Sequence, residues 1–300
     1  MRTVIALAGI VGLLALGGCQ SGARAGSELV GWVGLSERPL VYAVATDRPE
    51  ALPAKALLEF VPLTPYDALN QALSRRLGRP VVSELCFAFQ VAPNLELGVN
   101  QCALVSASQY LRLSRRERYP LLAVGYAGAA SQGKRAVLVT RAGESVSADS
   151  LARAELAFGE KGNARTHIAA AAWIAAHGGS PQAARHVSEP DRLAARVRAG
   201  EFVGGFLEEA VWDTWIRTQS DAAEGLREAA RTVALPERLM IASPQLDQPQ
   251  RAALTESLIG GRGLGWARAL SPLGLARFVA PSDDLAGTLA ELARFADGGE

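Results

Sequence analysis

Three predicted helix starts carry the side chains best suited to hold a small anion. They are Thr64-Pro65-Tyr66, Ser106-Ala107-Ser108 and Gly162-Asn163-Ala164-Arg165-Thr166. The first N–H groups of a helix have no intrahelical partner and sit at the positive end of the macrodipole, so they donate readily to oxyanion oxygens. Thr64, Ser106, Ser108 and Thr166 add hydroxyls and Asn163 adds an amide. Arg165 adds a guanidinium, which pairs bidentately with phosphate or carboxylate. Ser, Thr and Asn are equally the preferred plain N-caps, and Arg165 equally suits a solvated surface. Tyr66 and Tyr110 stand beside two of these starts, as lining residues or as packed core. Of the three lysines, Lys161 falls at the third start and Lys134 well before it, ahead of the strand expected at 135–140.

Chemistry beyond binding has little to work with. Gly-x-Ser-x-Gly, His-Glu-x-x-His, the P-loop pattern and paired-Cys motifs are absent. No catalytic residue, metal or cofactor is expected. Three Cys and three His are too few and too scattered for a structural zinc site. His167 and His177 are nearly three turns apart on one predicted helix, too far to share a metal. His167, near the helix start, is expected toward a cleft, and His177 as a partner of the helix C-terminal dipole. Trp212 and Trp215 read as core anchors. With 31 basic and 30 acidic residues the net charge is +1, which gives no footprint for nucleic acid.

The elements that position these residues alternate. Strands are expected at 40–45, 80–90, 102–105, 121–126, 135–140, 154–158, 202–207 (broken by Gly204-Gly205) and 239–242. Helices are expected at 66–77, where Leu69, Leu73 and Leu77 share a face between a Thr64-Pro65 start and a Gly78 stop. Others are expected at 106–116, 147–153, 163–177, 189–199, 210–217, 222–231, 248–259 and 284–295. Three hundred residues, 49% hydrophobic, suffice for one large or two small domains. The alternation implies an α/β fold with mostly parallel sheets.

The N-terminus sets the compartment. Met1-Arg2-Thr3 precedes an apolar run from Val4 to Leu16, a secretory signal too short for a comfortable membrane span. Leu16-Gly17-Gly18-Cys19 resembles the lipobox of bacterial lipoproteins, which implies removal of residues 1–18 and lipidation of Cys19. Multiple acyl chains anchor a protein stably to a bilayer. Residues 19–36 then read as a small, polar tether. Gln20 after the Cys is, by the same resemblance, compatible with outer-membrane sorting in a Gram-negative cell. Cys86 and Cys102 lie in apolar runs, and either a disulfide or two buried thiols is open to them.

The order of elements resembles the periplasmic solute-binding proteins of ABC transporters, in the phosphate/phosphonate/phosphite-binding branch. The stretches that carry it are "YDALNQALSRRLGRPVV" from Tyr66, "LGVNQCALVSASQY" from Leu97, "SLARAELAFGEKGNARTHIAAAAWIAAHG" from Ser150 and "AARVRAGEFVGGFLEEAVW" from Ala194. The resemblance spans about residues 38–296. It implies a type II binding-protein fold, with lobe one at 37–127 and 234–300, lobe two at 128–233, and two crossovers between them. It also implies capture of a small phosphate- or phosphonate-like oxyanion in the cleft, an ABC permease partner, a monomer, and a periplasmic or cell-surface location. The expected ligand residues are Thr64, Tyr66, Ser106, Ser108, Tyr110, Asn163, Arg165 and Thr166.

Two departures qualify this. The family's Ser-Thr-Ser-Gly-like loop is replaced by Asn163-Ala164-Arg165-Thr166, losing hydroxyls and gaining an Arg. The acids that grip a ligand amine in phosphonate binders are also missing. Gln101 stands at one such position and Gly204-Gly205 near the other, with Glu208 and Glu209 close by as substitutes. The competing reading is a non-transport lipoprotein on the same scaffold, a sensor or partner-binding module with an altered or lost pocket.

Overall fold

A computed structural model describes residues 39–47, 66–128, 133–144 and 155–297. Cys19, the signal and tether, Thr64 and the expected helical link at 147–153 lie outside the described residues. Among the described residues the chain runs β1 Leu40–Thr46, α1 Asp67–Leu77, β2 Val81–Phe87, α2 Ala88–Glu96, β3 Cys102–Val105, α3 Ala107–Leu111, β4 Leu121–Tyr126, β5 Ala136–Arg141 and β6 Leu156–Phe158. A π-helical turn, Ala164–Ala169, leads into α4 Ala170–Ala176. Then come β7 Arg185–His186, α5 Pro190–Arg198, β8 Gly204–Glu208, α6 Glu209–Thr218, α7 Ser220–Ala223, β9 Leu226–Arg231, β10 Arg238–Ala242, α8 Gln248–Ile259, α9 Gly263–Leu270, β11 Arg277–Val279 and α10 Asp283–Asp297.

The strands form two sheets, ordered β11-β4-β10-β3-β1-β2 and β7-β6-β8-β5-β9. In the first, β1 pairs parallel with both β2 and β3, and β11 pairs antiparallel with β4. In the second, β6 pairs parallel with β7 and β8, while β5 is antiparallel to both β8 and β9. Both sheets therefore contain parallel and antiparallel pairs.

The chain forms two compact units. One holds the described residues up to Leu104, Glu117–Leu122 and Met240–Leu273. The other holds the described residues of Val105–Arg116, Ala123–Leu239 and those from Gly274 onward. In the first unit α1 buries Leu69 and Leu73, leaves Leu77 half-buried, and stops at Gly78 in the left-handed region. Cys86 and Cys102 are buried there as free thiols. In the second unit Trp212 and Trp215 are core anchors, packed with Val137, Leu193, Val197 and Phe202.

Three expectations are corrected, and two elements are added. The strand of 80–90 ends at Phe87 and turns into α2, where the Phe87 N–H donates to Gln90 Oε1 at 3.0 Å. Pro93 inside α2 hides that helix from a breaker-based reading. The helix expected over 222–231 is instead a single turn, α7, followed by β9. Its Arg227, Glu228 and Arg231 suit an edge strand, and pairing with β5 overrides the local helical preference. Gly204 and Gly205 lie within β8 and do not break it. A Cβ on Gly205 would come within 2.3 Å of Leu193 Cδ2, so the glycine is what lets α5 pack onto the strand. Finally, 263–270 and 277–279 add a helix and a strand that the periodicity did not reveal.

Candidate anion-binding site

The loop after β6 builds the site. It runs from Gly159 to Asn163 and delivers the chain into the π-helical turn. Asn163 is the N-cap, and its side-chain oxygen accepts from the N–H groups of Arg165 (2.8 Å) and Thr166 (3.1 Å). Its amide nitrogen donates to Glu208 Oε1 at 3.1 Å. Arg165 Nη1 faces the same carboxylate, 3.3 Å from Oε2, and both side chains are partly buried. Arg165 Nε is buried with no hydrogen-bond partner. Thr166 is buried against Gly159, where an added Cβ would lie 2.5 Å from its Oγ1, and the Gly159 N–H donates to its carbonyl. Glycine at 159 is thus required for the loop to close.

The second start packs against the first within the same unit. Ser106 caps α3 in a reciprocal box: its Oγ accepts from Gln109 N–H and its own N–H donates to Gln109 Oε1. The Ser-x-x-Gln spacing carried that signal, but Gln109 escaped the sequence reading. Ser108 Oγ accepts from the Ala164 N–H at 2.8 Å, joining the two helix starts. Tyr110 is buried in α3. Helix α3 is five residues long, shorter than the expected 106–116.

A histidine pair braces the loop. The Gly162 N–H donates to His167 Nδ1 at 3.0 Å, and His186 Nδ1 lies 3.1 Å from the Gly159 carbonyl. The two rings meet edge to face, 4.6 Å between centroids, beside Phe158. Burial first, then the nearby His186 and Lys161, pushes the His167 pKa down to about 4. Its ring is therefore neutral at pH 7 and accepts from Gly162. His186 was missed because a lone His in a two-residue strand has no spacing to read. His177 closes α4 as expected: its ring nitrogen donates to the Trp173 carbonyl at 2.7 Å and the ring stacks on that Trp.

Two other positions fall elsewhere. Tyr66 is in the first unit, at the N-cap of α1, where its carbonyl accepts from Asn70. Gln101 is also there; its Oε1 accepts from Val41 N–H at 2.6 Å and ties the turn to β1. Among the described residues no group of three or more His, Cys, Asp or Glu is placed to hold a metal. No helix among them is long and apolar enough to cross a membrane.

The cluster of Ser108, Asn163, Arg165 and Glu208 is a small, partly buried polar site with an anion-type donor set and an acid inside it. Comparisons place it in context. The family model described as "ABC transporter, phosphonate, periplasmic substrate-binding protein" matches residues 63–286. No curated protein matches the chain. Among solved structures, XAC2383 from Xanthomonas citri bound to chloride ion superposes with TM-score 0.63 at 16% identity, covering 86% of this chain and 97% of that one. PhnD1 from Prochlorococcus marinus (MIT 9301), in complex with methylphosphonate, gives 0.54 at 13% identity, with 86% and 98% covered. The binding-protein component PA3383 from Pseudomonas aeruginosa gives 0.52 at 13%, with 87% of each chain covered. These likenesses establish the type II periplasmic-binding-protein fold. With the family model covering most of its length, the chain belongs to the periplasmic phosphonate substrate-binding proteins of ABC transporters.

Proposed function

We propose that this protein captures a small phosphate- or phosphonate-like oxyanion for import, by closure of two lobes over it. The observation that carries the reading is the meeting of two helix starts at Ser108 and Ala164, with Asn163 and Arg165 beside them. Helix N-terminal N–H groups, hydroxyls and a guanidinium form a donor set matched to such ligands. Tyr66 and Thr64 belong to the same reading. The lobe boundaries at 127/128 and 233/234 belong to it too, and the antiparallel bridge between Lys134 and Leu235 supports two adjacent crossovers there. Lipidation of Cys19 would hold the protein at a membrane surface as a monomer working with an ABC permease.

Calorimetry against phosphate, phosphite, methylphosphonate, sulfonates and carboxylates tests the ligand class. Saturable binding of an oxyanion, weakened by Arg165→Ala, is expected. A folded protein that binds none of them refutes it. Metabolic labelling with a fatty acid, lost in Cys19→Ala, tests the anchor.

One observation favours the second reading, a scaffold with an altered pocket. The N–H groups of Gly162, Ala164, Arg165 and Thr166 all already donate to protein side chains: His167, Ser108 and Asn163. Binding in wild type only by compounds outside the oxyanion classes would favour that reading.

A further inference from the structure

The structure points to Glu208 as an internal anion that competes with the ligand for Arg165 and Asn163, and we propose that it sets the affinity and selectivity of the site. This rests on the oxyanion reading above.

Glu208 is the last residue of β8 and the N-cap position of α6. Strand pairing with β5 holds its backbone, since Ala136 faces Glu208 in the ladder. Its carboxylate therefore lies beside the positive end of a ten-residue helix. From there it accepts from Asn163 Nδ2 at 3.1 Å and faces Arg165 Nη1 at 3.3 and 3.5 Å. These are the groups that an incoming oxyanion would use.

The fit of Arg165 to Glu208 is incomplete. Both carboxylate oxygens address one guanidinium nitrogen, at long distances, instead of the fork-to-fork pairing that Arg prefers. Arg165 Nε is left buried and unpartnered. An unmet N–H of that kind is costly, and a ligand oxygen at the Nε edge would relieve it. A bound oxyanion thus gains the unused donor of Arg165, but it meets the repulsion of a carboxylate already in place. Neighbouring Glu209 does not share this role, because it pairs with Arg231 and accepts from the Arg135 N–H.

The consequence is selectivity. An anion without a compensating donor is disfavoured unless Glu208 moves or is neutralised. Removing the charge while keeping the shape strengthens binding of simple oxyanions. Glu208→Gln still accepts from Asn163 and no longer repels; up to about a fivefold gain in affinity is expected, the size of one partly exposed charge interaction.

The experiment is calorimetry of wild type, Glu208→Gln, Glu208→Ala and Glu208→Gln/Arg165→Ala with phosphate and methylphosphonate, each variant first checked for an unchanged melting profile. Binding tighter than wild type in Glu208→Gln, lost again in the double variant, supports the inference. Wild-type binding that is unchanged or weaker in Glu208→Gln and Glu208→Ala overturns it and leaves the oxyanion reading standing. Absence of binding in all four proteins overturns both. If Glu208→Gln fails to fold, Glu208→Ala gives the same comparison.

Discussion

Replacing Asn163 with Ala should destabilise the second unit measurably, whatever the ligand proves to be. The side-chain oxygen of Asn163 accepts two backbone N–H groups at 2.8 and 3.1 Å, and its nitrogen donates to Glu208 at 3.1 Å. Losing an N-cap to Ala costs about 1 kcal/mol and up to about 2. The bond to Glu208 adds at most about 1 kcal/mol, because Asn163 and Glu208 both remain partly exposed and screened. A loss of about 2 kcal/mol lowers the melting temperature by roughly 4–8 °C for a unit of this size. Circular dichroism with thermal and urea unfolding reads it. Asn163→Ser restores an N-cap acceptor but not the donor to Glu208, so it should recover about 1 kcal/mol. The reasoning is refuted if Asn163→Ala melts within about 1 °C of wild type, or if Ser and Ala at this position are equally destabilised.

Two further outcomes follow from buried groups. His167 has a folded pKa of about 4 against about 6.5 when unfolded, so the unfolded chain takes up its proton first. Its contribution to stability is whole above pH 6.5 and is lost as the pH falls toward 4. Comparing urea midpoints of wild type and His167→Gln across that window should show a shallower pH dependence in the variant; parallel curves would exclude His167 as the cause. In a Cys19→Ser background, Cys86 and Cys102 should resist a thiol reagent in the native state and titrate as two thiols in denaturant. Both are buried, and burial pushes the Cys102 pKa up to about 12, which suppresses the reactive thiolate. Fast native labelling of either one would contradict that.

Much of the scaffold was legible residue by residue. Leu69 and Leu73 mark the buried face of α1, Gly78 its end, and the apolar runs at 40–45, 102–105 and 121–126 the central strands. Periodicity and stop signals are local, so sequence shows them directly. What depends on a partner far along the chain was not legible. The stretch 226–231 has an Ala- and charge-rich composition and becomes a strand only because β5 offers an edge. The antiparallel setting of β5 has the same origin.

The candidate site divides along the same line. Sequence by itself determined the donor set: Asn163 as a cap, Ser106 as a cap, and hydroxyls and a guanidinium clustered at helix starts, because capping is a matter of residues three or fewer apart. Only the tertiary structure decided how those donors are used. Ser108 meets Ala164 across 56 residues, and Glu208 reaches Asn163 across 45 and Arg165 across 43. Hydrogen bonds are short-ranged and directional, so whether a donor is free for a ligand or already held by an internal carboxylate is set by packing and not by composition.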